Sequence, residues 1–144
     1  MTQTMTGGCL CGAKRFTAEV GEEKAYLCHC RMCQRACGNV SLAMVVLPTA
    51  TIRWEGEPNW YRSSAIAERP FCATCGTSLG FRYIDSPEKM DLTVASFDDP
   101  GFFTPHYQFG AESIHRAWLN TEGLPETRSD EYPALQERWA KAEG

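Results

Sequence analysis

The stretch from Cys28 to Gly38 reads CHCRMCQRACG and holds four of the chain's eight cysteines. A thiolate is a soft metal ligand, a nucleophile and a redox partner, so this density admits a closed metal site, an open catalytic one or a disulfide framework. Spacing narrows the choice. The cysteines fall into three groups, Cys9-x-Cys11, Cys28-x-Cys30-x-x-Cys33 and Cys72-x-x-Cys75, with Cys37 alone. In the first and last groups a glycine follows the second cysteine, Gly12 and Gly76. Glycine permits the tight, often left-handed backbone that turns amides toward sulfur, as in a zinc knuckle. Two such knuckles can place four sulfurs at ~2.3 Å around one ion, which predicts a structural zinc held by Cys9, Cys11, Cys72 and Cys75. The middle group then supplies Cys28, Cys30 and Cys33, three protein ligands with a fourth position open to water or substrate, the arrangement of a catalytic zinc.

Two other arrangements remain for the middle group. Cys37 lies four residues beyond Cys33, on the same face if a helix begins there, and can close the site as a four-cysteine centre. A CxxC pair can also exchange thiols, although a thioredoxin-like motif requires a βαβ context that this sequence does not offer. Three thiolates carry more negative charge than a divalent ion neutralises, so water there is less acidified than on a three-histidine site. Such a centre favours thiol chemistry over hydrolysis. His29 sits between two expected ligands, and in an extended segment it points away from an ion held by Cys28 and Cys30. It is therefore expected to support the site rather than ligate. His106 and His115 lack ligand spacing and are expected as surface or hydrogen-bonded residues, while Trp54, Trp60, Trp118 and Trp139 are expected in the core. Arg31 and Arg35 flank the middle group and can receive carboxylates of a thiol substrate.

These groups must be positioned by strands. In AKRFTAEV, Phe16, Ala18 and Val20 share one face and Arg15, Thr17 and Glu19 the other, the alternation of a half-buried strand. SLAMVVL, TIRWEG, NWYRS, SLGFRYI and KMDLTVASF repeat the pattern between Gly, Pro, Asn and Asp turns. A mostly β chain follows. Helix is expected only for a turn or two after Cys33 and in PALQERWAKAE, where Leu135 and Trp139 are four apart.

With 144 residues the chain has the size of one domain, residues 1–144, able to bury a core without covalent staples. The formal net charge is −4, with no long basic run, which removes the electrostatic footprint of nucleic-acid binding. MTQTMTGGCL lacks the basic start and apolar run of a secretory signal, and no stretch approaches the ~20 apolar residues of a membrane span. A cytoplasmic, reducing location is expected, where cysteine clusters hold metal more often than disulfides.

GGCLCGAKRF, YLCHCRMCQRACG and RPFCATCGTSLGF resemble, in order and spacing, the three signature segments of the glutathione-dependent formaldehyde-activating enzyme family, also called centromere-protein-V-like. The HYQF, Trp118 and GLP portion is similar to that family's C-terminal part, so the resemblance spans about residues 7–125. It implies a single-domain β-tent fold of small antiparallel sheets with zinc knuckles and a short C-terminal helix. It also implies two zinc sites, Cys9, Cys11, Cys72 and Cys75 in the structural one and Cys28, Cys30 and Cys33 in the catalytic one. The implied activity joins glutathione, as co-substrate, to formaldehyde, giving S-(hydroxymethyl)glutathione, and is classed as a carbon–sulfur lyase for the reverse direction. The implied partners are a small thiol and a small carbonyl. Cys37 and Gln34 depart from the family, which more often has a small residue and a basic residue there. The rival class is a zinc-stabilised protein-interaction module whose metal sites are all structural.

Overall fold

The computed structural model describes residues 1–143. In chain order the elements are β1 (Gln3–Gly8), β2 (Arg15–Val20), β3 (Lys24–Cys28), α1 (Arg31–Cys37), β4 (Leu42–Pro48), β5 (Ile52–Glu55), β6 (Asn59–Tyr61), β7 (Ala67–Phe71), β8 (Gly80–Tyr83), β9 (Lys89–Thr93), β10 (Thr104–Phe109) and α2 (Pro133–Glu143), joined in places by single 3₁₀ turns. The fold is mostly β. The five alternating stretches read from the sequence form β4, β5, β6, β8 and β9, and β2 buries Phe16, Ala18 and Val20 as its alternation requires.

Two sheets result. One is three-stranded, in the order β1-β2-β5; the other is seven-stranded, in the order β10-β3-β4-β9-β8-β7-β6. Neighbours pair antiparallel except β10, which runs parallel to β3 along the sheet edge, with Gln108 opposite Leu27 and Phe109 opposite Cys28. A parallel partner needs a long crossover, supplied here by most of the chain between residues 28 and 104. This is why HYQF, whose strand pairing depends on a segment so far back, carries no hairpin signal.

Period-two alternation gives the large sheet two different faces. Val45 and Leu47 of β4 and Met90 and Leu92 of β9 join Met5, Phe16, Ala18, Val20 and Ile52 of the small sheet in the main hydrophobic core. Each large side chain buried there contributes roughly 1.5–3 kcal/mol relative to exposure. Leu42 and Met44, on the opposite face of β4, pack instead with Cys28 and Cys33, flanked by Tyr26 and Phe81. The cysteine-rich segment therefore lies on the face turned away from the main core.

Trp54 and Trp60 pack against the main core as expected, but Trp118 and Trp139 do not, being 74% and 63% exposed. Both lie after β10, in residues 111–143, where no described residue is buried. Helix α2 forms where its pattern predicts, yet buries nothing. Its apolar pair, Leu135 and Trp139, joins none of the hydrophobic clusters of the sheets. No helix is long and apolar enough to cross a membrane.

Candidate metal centres

All eight cysteines carry free thiols. Seven of them gather into two groups, Cys9, Cys11, Cys72 and Cys75 in one and Cys28, Cys30 and Cys33 in the other, the sulfurs within each group lying within 4.8 Å of one another. These are the two sets expected from spacing.

The first group sits where the turn after β1 meets the turn after β7. In both turns the glycine after the second cysteine adopts positive φ, +82° at Gly12 and +80° at Gly76. Each closes its loop by donating its N–H to a cysteine carbonyl, Gly12 to Cys9 at 3.2 Å and Gly76 to Cys72 at 2.7 Å. The left-handed conformation is what a side chain would disfavour there. The Cys9 and Cys11 sulfurs are 3.6 Å apart, and those of Cys11 and Cys72 are 3.8 Å apart. A tetrahedron of sulfurs at ~2.3 Å from a central ion has edges of about 3.8 Å, so this donor set fits zinc. The Lys14 N–H donates to Cys9 Sγ at 3.2 Å, and Thr77 ties the two turns, accepting from the Leu10 N–H at 3.0 Å and lying 3.1 Å from Cys75 Sγ. Cys9 and Cys72 are buried while Cys11 is exposed.

The second group belongs to one short segment. Cys28 ends β3, Cys30 caps α1 by accepting from the Cys33 N–H at 3.3 Å, and Cys33 is inside the helix, which begins before Cys33 rather than after it. The helix ends at Gly38, whose φ of +69° lets its N–H return to the Gln34 carbonyl at 2.9 Å. Cys37 stays out of the sulfur group, its Sγ 3.8 Å from the carbonyls of Gln34 and Asn39 and 3.9 Å from that of Ser41.

Residues remote in sequence hold this segment. The His29 N–H donates to the Phe109 carbonyl at 2.9 Å, and its Nε2 lies 3.0 Å from Gln108 Oε1. His29 is fully buried and outside the sulfur group, as its place between two ligands predicted. Gln34 is buried and donates from Nε2 to the carbonyls of His29, at 2.7 Å, and Ser113, at 3.1 Å. The residue noted in the sequence as a departure is thus a clamp between α1 and the turn after β10. Gly110, with φ of +68°, presses against Cys30: a Cβ there would lie 2.7 Å from the Cys30 nitrogen. His106 and His115 are exposed.

Arg69 of β7 was not singled out from the sequence. It is only 5% exposed, and both its Nη1 and Nη2 donate to Cys33 Sγ at 3.5 Å. Its guanidinium also lies over the Phe81 ring, 5.0 Å from the centroid. The Cys33 thiol is held down to about 5, chiefly by its hydrogen bond with Cys28 and, against the cost of burial, by Arg69. The same bond to Cys33 and burial push the Cys28 thiol up. Beside them Tyr26 donates to Asp91, whose carboxyl burial raises to about 6. A cleft of about 640 Å³ runs between α1 and β7, lined by Met32, Arg35, Tyr61, Arg69 and Phe71 and reaching Gly76 of the first group's turn. Arg35 lines it, whereas Arg31 binds the Gln34 side chain instead.

Fold and donor sets together define a small mostly β protein carrying two cysteine clusters of metal-binding geometry. The family model described as glutathione-dependent formaldehyde-activating enzyme matches residues 4–113, and the chain belongs to that family. An uncharacterized lyase of Schizosaccharomyces pombe is 36% identical over 91 residues, covering 63% of this chain and 66% of that protein, just under two thirds of its length. The crystal structure of a Rhodobacter sphaeroides protein matches 72% of this chain and 99% of its own with a TM-score of 0.59 at 24% identity, a likeness of fold alone.

Proposed function

We propose that this protein is a zinc-dependent carbon–sulfur lyase of the S-(hydroxymethyl)glutathione synthase type, joining glutathione or a similar thiol to formaldehyde or another small carbonyl. In that reaction a sulfur–carbon bond forms, the carbonyl π bond breaks, and the thiol proton ends on the former carbonyl oxygen. The observation that carries the reading is the contrast in donor number: one cluster has four sulfurs, the other stops at three although Cys37 packs against the side chains around Cys28 and Cys33. Membership of the family and the lyase name of the yeast relative support the same class of reaction.

Cys9, Cys11, Cys72 and Cys75 would hold a structural zinc, and Cys28, Cys30 and Cys33 the catalytic one. A zinc at the second site would supply Lewis acidity, lowering the pKa of an added thiol. The chain's own residues do the rest. Gln34 and His29 fix the ligand segment from behind, and Gly110 allows the strand end to pack directly on Cys30. Arg35, on the cleft wall, is placed to take a carboxylate of the thiol, and Met32, Tyr61 and Phe71 give that cleft an apolar wall. Free thiols throughout suit a reducing, cytoplasmic setting.

The test is turnover of glutathione plus formaldehyde, followed by NMR against the spontaneous rate. The zinc-loaded protein should accelerate adduct formation and Cys28→Ser should abolish the acceleration. Addition of glutathione to cobalt-substituted protein should change its visible spectrum. A spectrum unmoved by thiol, with no acceleration, would favour the interaction module instead.

A further inference from the structure

The guanidinium of Arg69 is buried, and among the described residues no carboxylate lies within 4.0 Å of it. A buried charge is tolerated only when paired. Asp91, near enough to feel Arg69, accepts its hydrogen bond from Tyr26. What Arg69 does touch is Cys33 Sγ, from both Nη atoms, and the face of Phe81; its Nε is buried without a partner. The geometry is that of a cation aimed at one sulfur, and it makes sense only if that sulfur carries negative charge.

The proposed function gives that charge a cause and a difficulty. Three thiolates around a divalent ion leave one negative charge in excess, in a setting where Cys28 and Cys33 are 4% and 3% exposed. Thiolates are also nucleophiles, and an enzyme that handles an electrophilic carbonyl must keep it from reacting with its own ligands. A charge-assisted N–H···S bond draws electron density from the sulfur that accepts it. We propose that Arg69 is the counter-charge of the Cys28, Cys30 and Cys33 centre, a positioning residue that stabilises the bound ion and quiets Cys33 so that the carbonyl meets the incoming thiol rather than a ligand. This rests on the three-sulfur centre of the proposed function, but not on which thiol or carbonyl is used.

The test compares wild type with Arg69→Met, which keeps length and packing on Phe81, and Arg69→Lys, which keeps the charge. Metal affinity of the second site, measured by chelator competition, should fall about ten- to a hundredfold in Arg69→Met and recover in part in Arg69→Lys. In cobalt-loaded protein the sulfur-to-metal charge-transfer band should move to lower energy in Arg69→Met, because Cys33 loses its donors. Alkylation of zinc-loaded protein by iodoacetamide, mapped by mass spectrometry, should become several-fold faster at Cys33 in Arg69→Met while Cys9, Cys11, Cys72 and Cys75 keep their rates. Rates rising in both groups would mean that β7 has loosened, and Arg69 would be merely structural. An unchanged spectrum and unchanged Cys33 rate would also overturn the proposal. Should Arg69→Met not fold, wild type loaded with spin-half cadmium decides: scalar coupling between the metal and Arg69 guanidinium protons is expected, and its absence refutes the bond. Loss of these effects with adduct formation intact counts against Arg69 alone. Their presence without any adduct formation counts against the proposed reaction alone.

Discussion

The two cysteine clusters differ less in ligand type than in what they join. Cys11 and Cys72, 61 residues apart, bring the end of β1 in the small sheet to the end of β7 in the large one. Cys28, Cys30 and Cys33 connect only the end of β3 to the helix that follows it. A crosslink across a long loop removes far more freedom from the unfolded chain than one across a few residues. On the proposed reading an ion in the first cluster would hold the fold, while the second cluster is itself held by its surroundings, Gln34, His29 and Gly110. Charge is handled differently as well. The first cluster has an exposed member, Cys11, where water could solvate the excess charge of a bound ion; the second has Cys28 and Cys33 buried, Cys30 half-buried, and Arg69 donating to Cys33. The cation beside the first cluster, Arg15, is paired with Asp98, whereas Arg69 at the second donates directly to a cysteine sulfur.

The largest test of this difference is Cys72→Ser. Zinc release there should cost on the order of 10 kcal/mol, more than a domain of this size can spare. Circular dichroism should show an unfolded or severely destabilised chain, and a variant that melts like wild type would reverse the assignment of the two clusters. Cys28→Ser should instead keep the fold and lose one of two metal ions, read by elemental analysis. Mild chelation of wild type should likewise empty the second site first, with the far-ultraviolet spectrum unchanged.

A change of intermediate size is expected for Gly110→Ala. The added methyl would lie 2.7 Å from the Cys30 backbone nitrogen, at a positive φ that alanine disfavours, so the Cys30 loop must shift. Affinity at the second site should drop by about tenfold or more, while the first keeps its ion. An unaffected second site would show that the strand end does not hold the ligands.

The first cluster's surroundings should give a smaller, pH-dependent signal. Arg15 donates to both carboxylate oxygens of Asp98, at 3.0 and 2.5 Å, and Thr6 donates at 2.6 Å, which holds Asp98 down to about 2. A depressed carboxylate stabilises the folded state above its unfolded pKa of about 4 and ceases to do so as pH falls through about 2. Both side chains are partly exposed, so the difference between wild type and Asp98→Ala should be under about 1 kcal/mol and shrink in high salt. A difference that grows as the pH falls below 4 would contradict this. The smallest change is expected from Cys37→Ser, which should keep two ions and leave adduct formation within a few-fold of wild type. Loss of the second ion would make Cys37 a ligand after all.

Much of this was legible without coordinates because it is short-range. Ligand spacing within each group, the glycine that follows a knuckle and the alternation that buries Phe16, Ala18 and Val20 are set by covalent geometry and by a backbone period of two. Those features predicted six of the ten strands, the grouping of seven cysteines and the aside position of His29. Tertiary structure decided the rest. Arg69 reads in RPFC like any surface arginine, and only the pairing of β6, β7 and β8 carries it beneath α1. Gly110 and Gln108 reach the ligand segment because β10 crosses most of the chain to lie parallel to β3, a pairing no local pattern encodes. Trp118 and Trp139 show the converse: apolar side chains predict burial only where a complementary face exists, and after β10 the chain has already closed its core. Local sequence specifies which atoms can bind a metal. Long-range register specifies which charges and backbones surround them, since burial and electrostatic pairing depend on neighbours that sequence proximity does not supply.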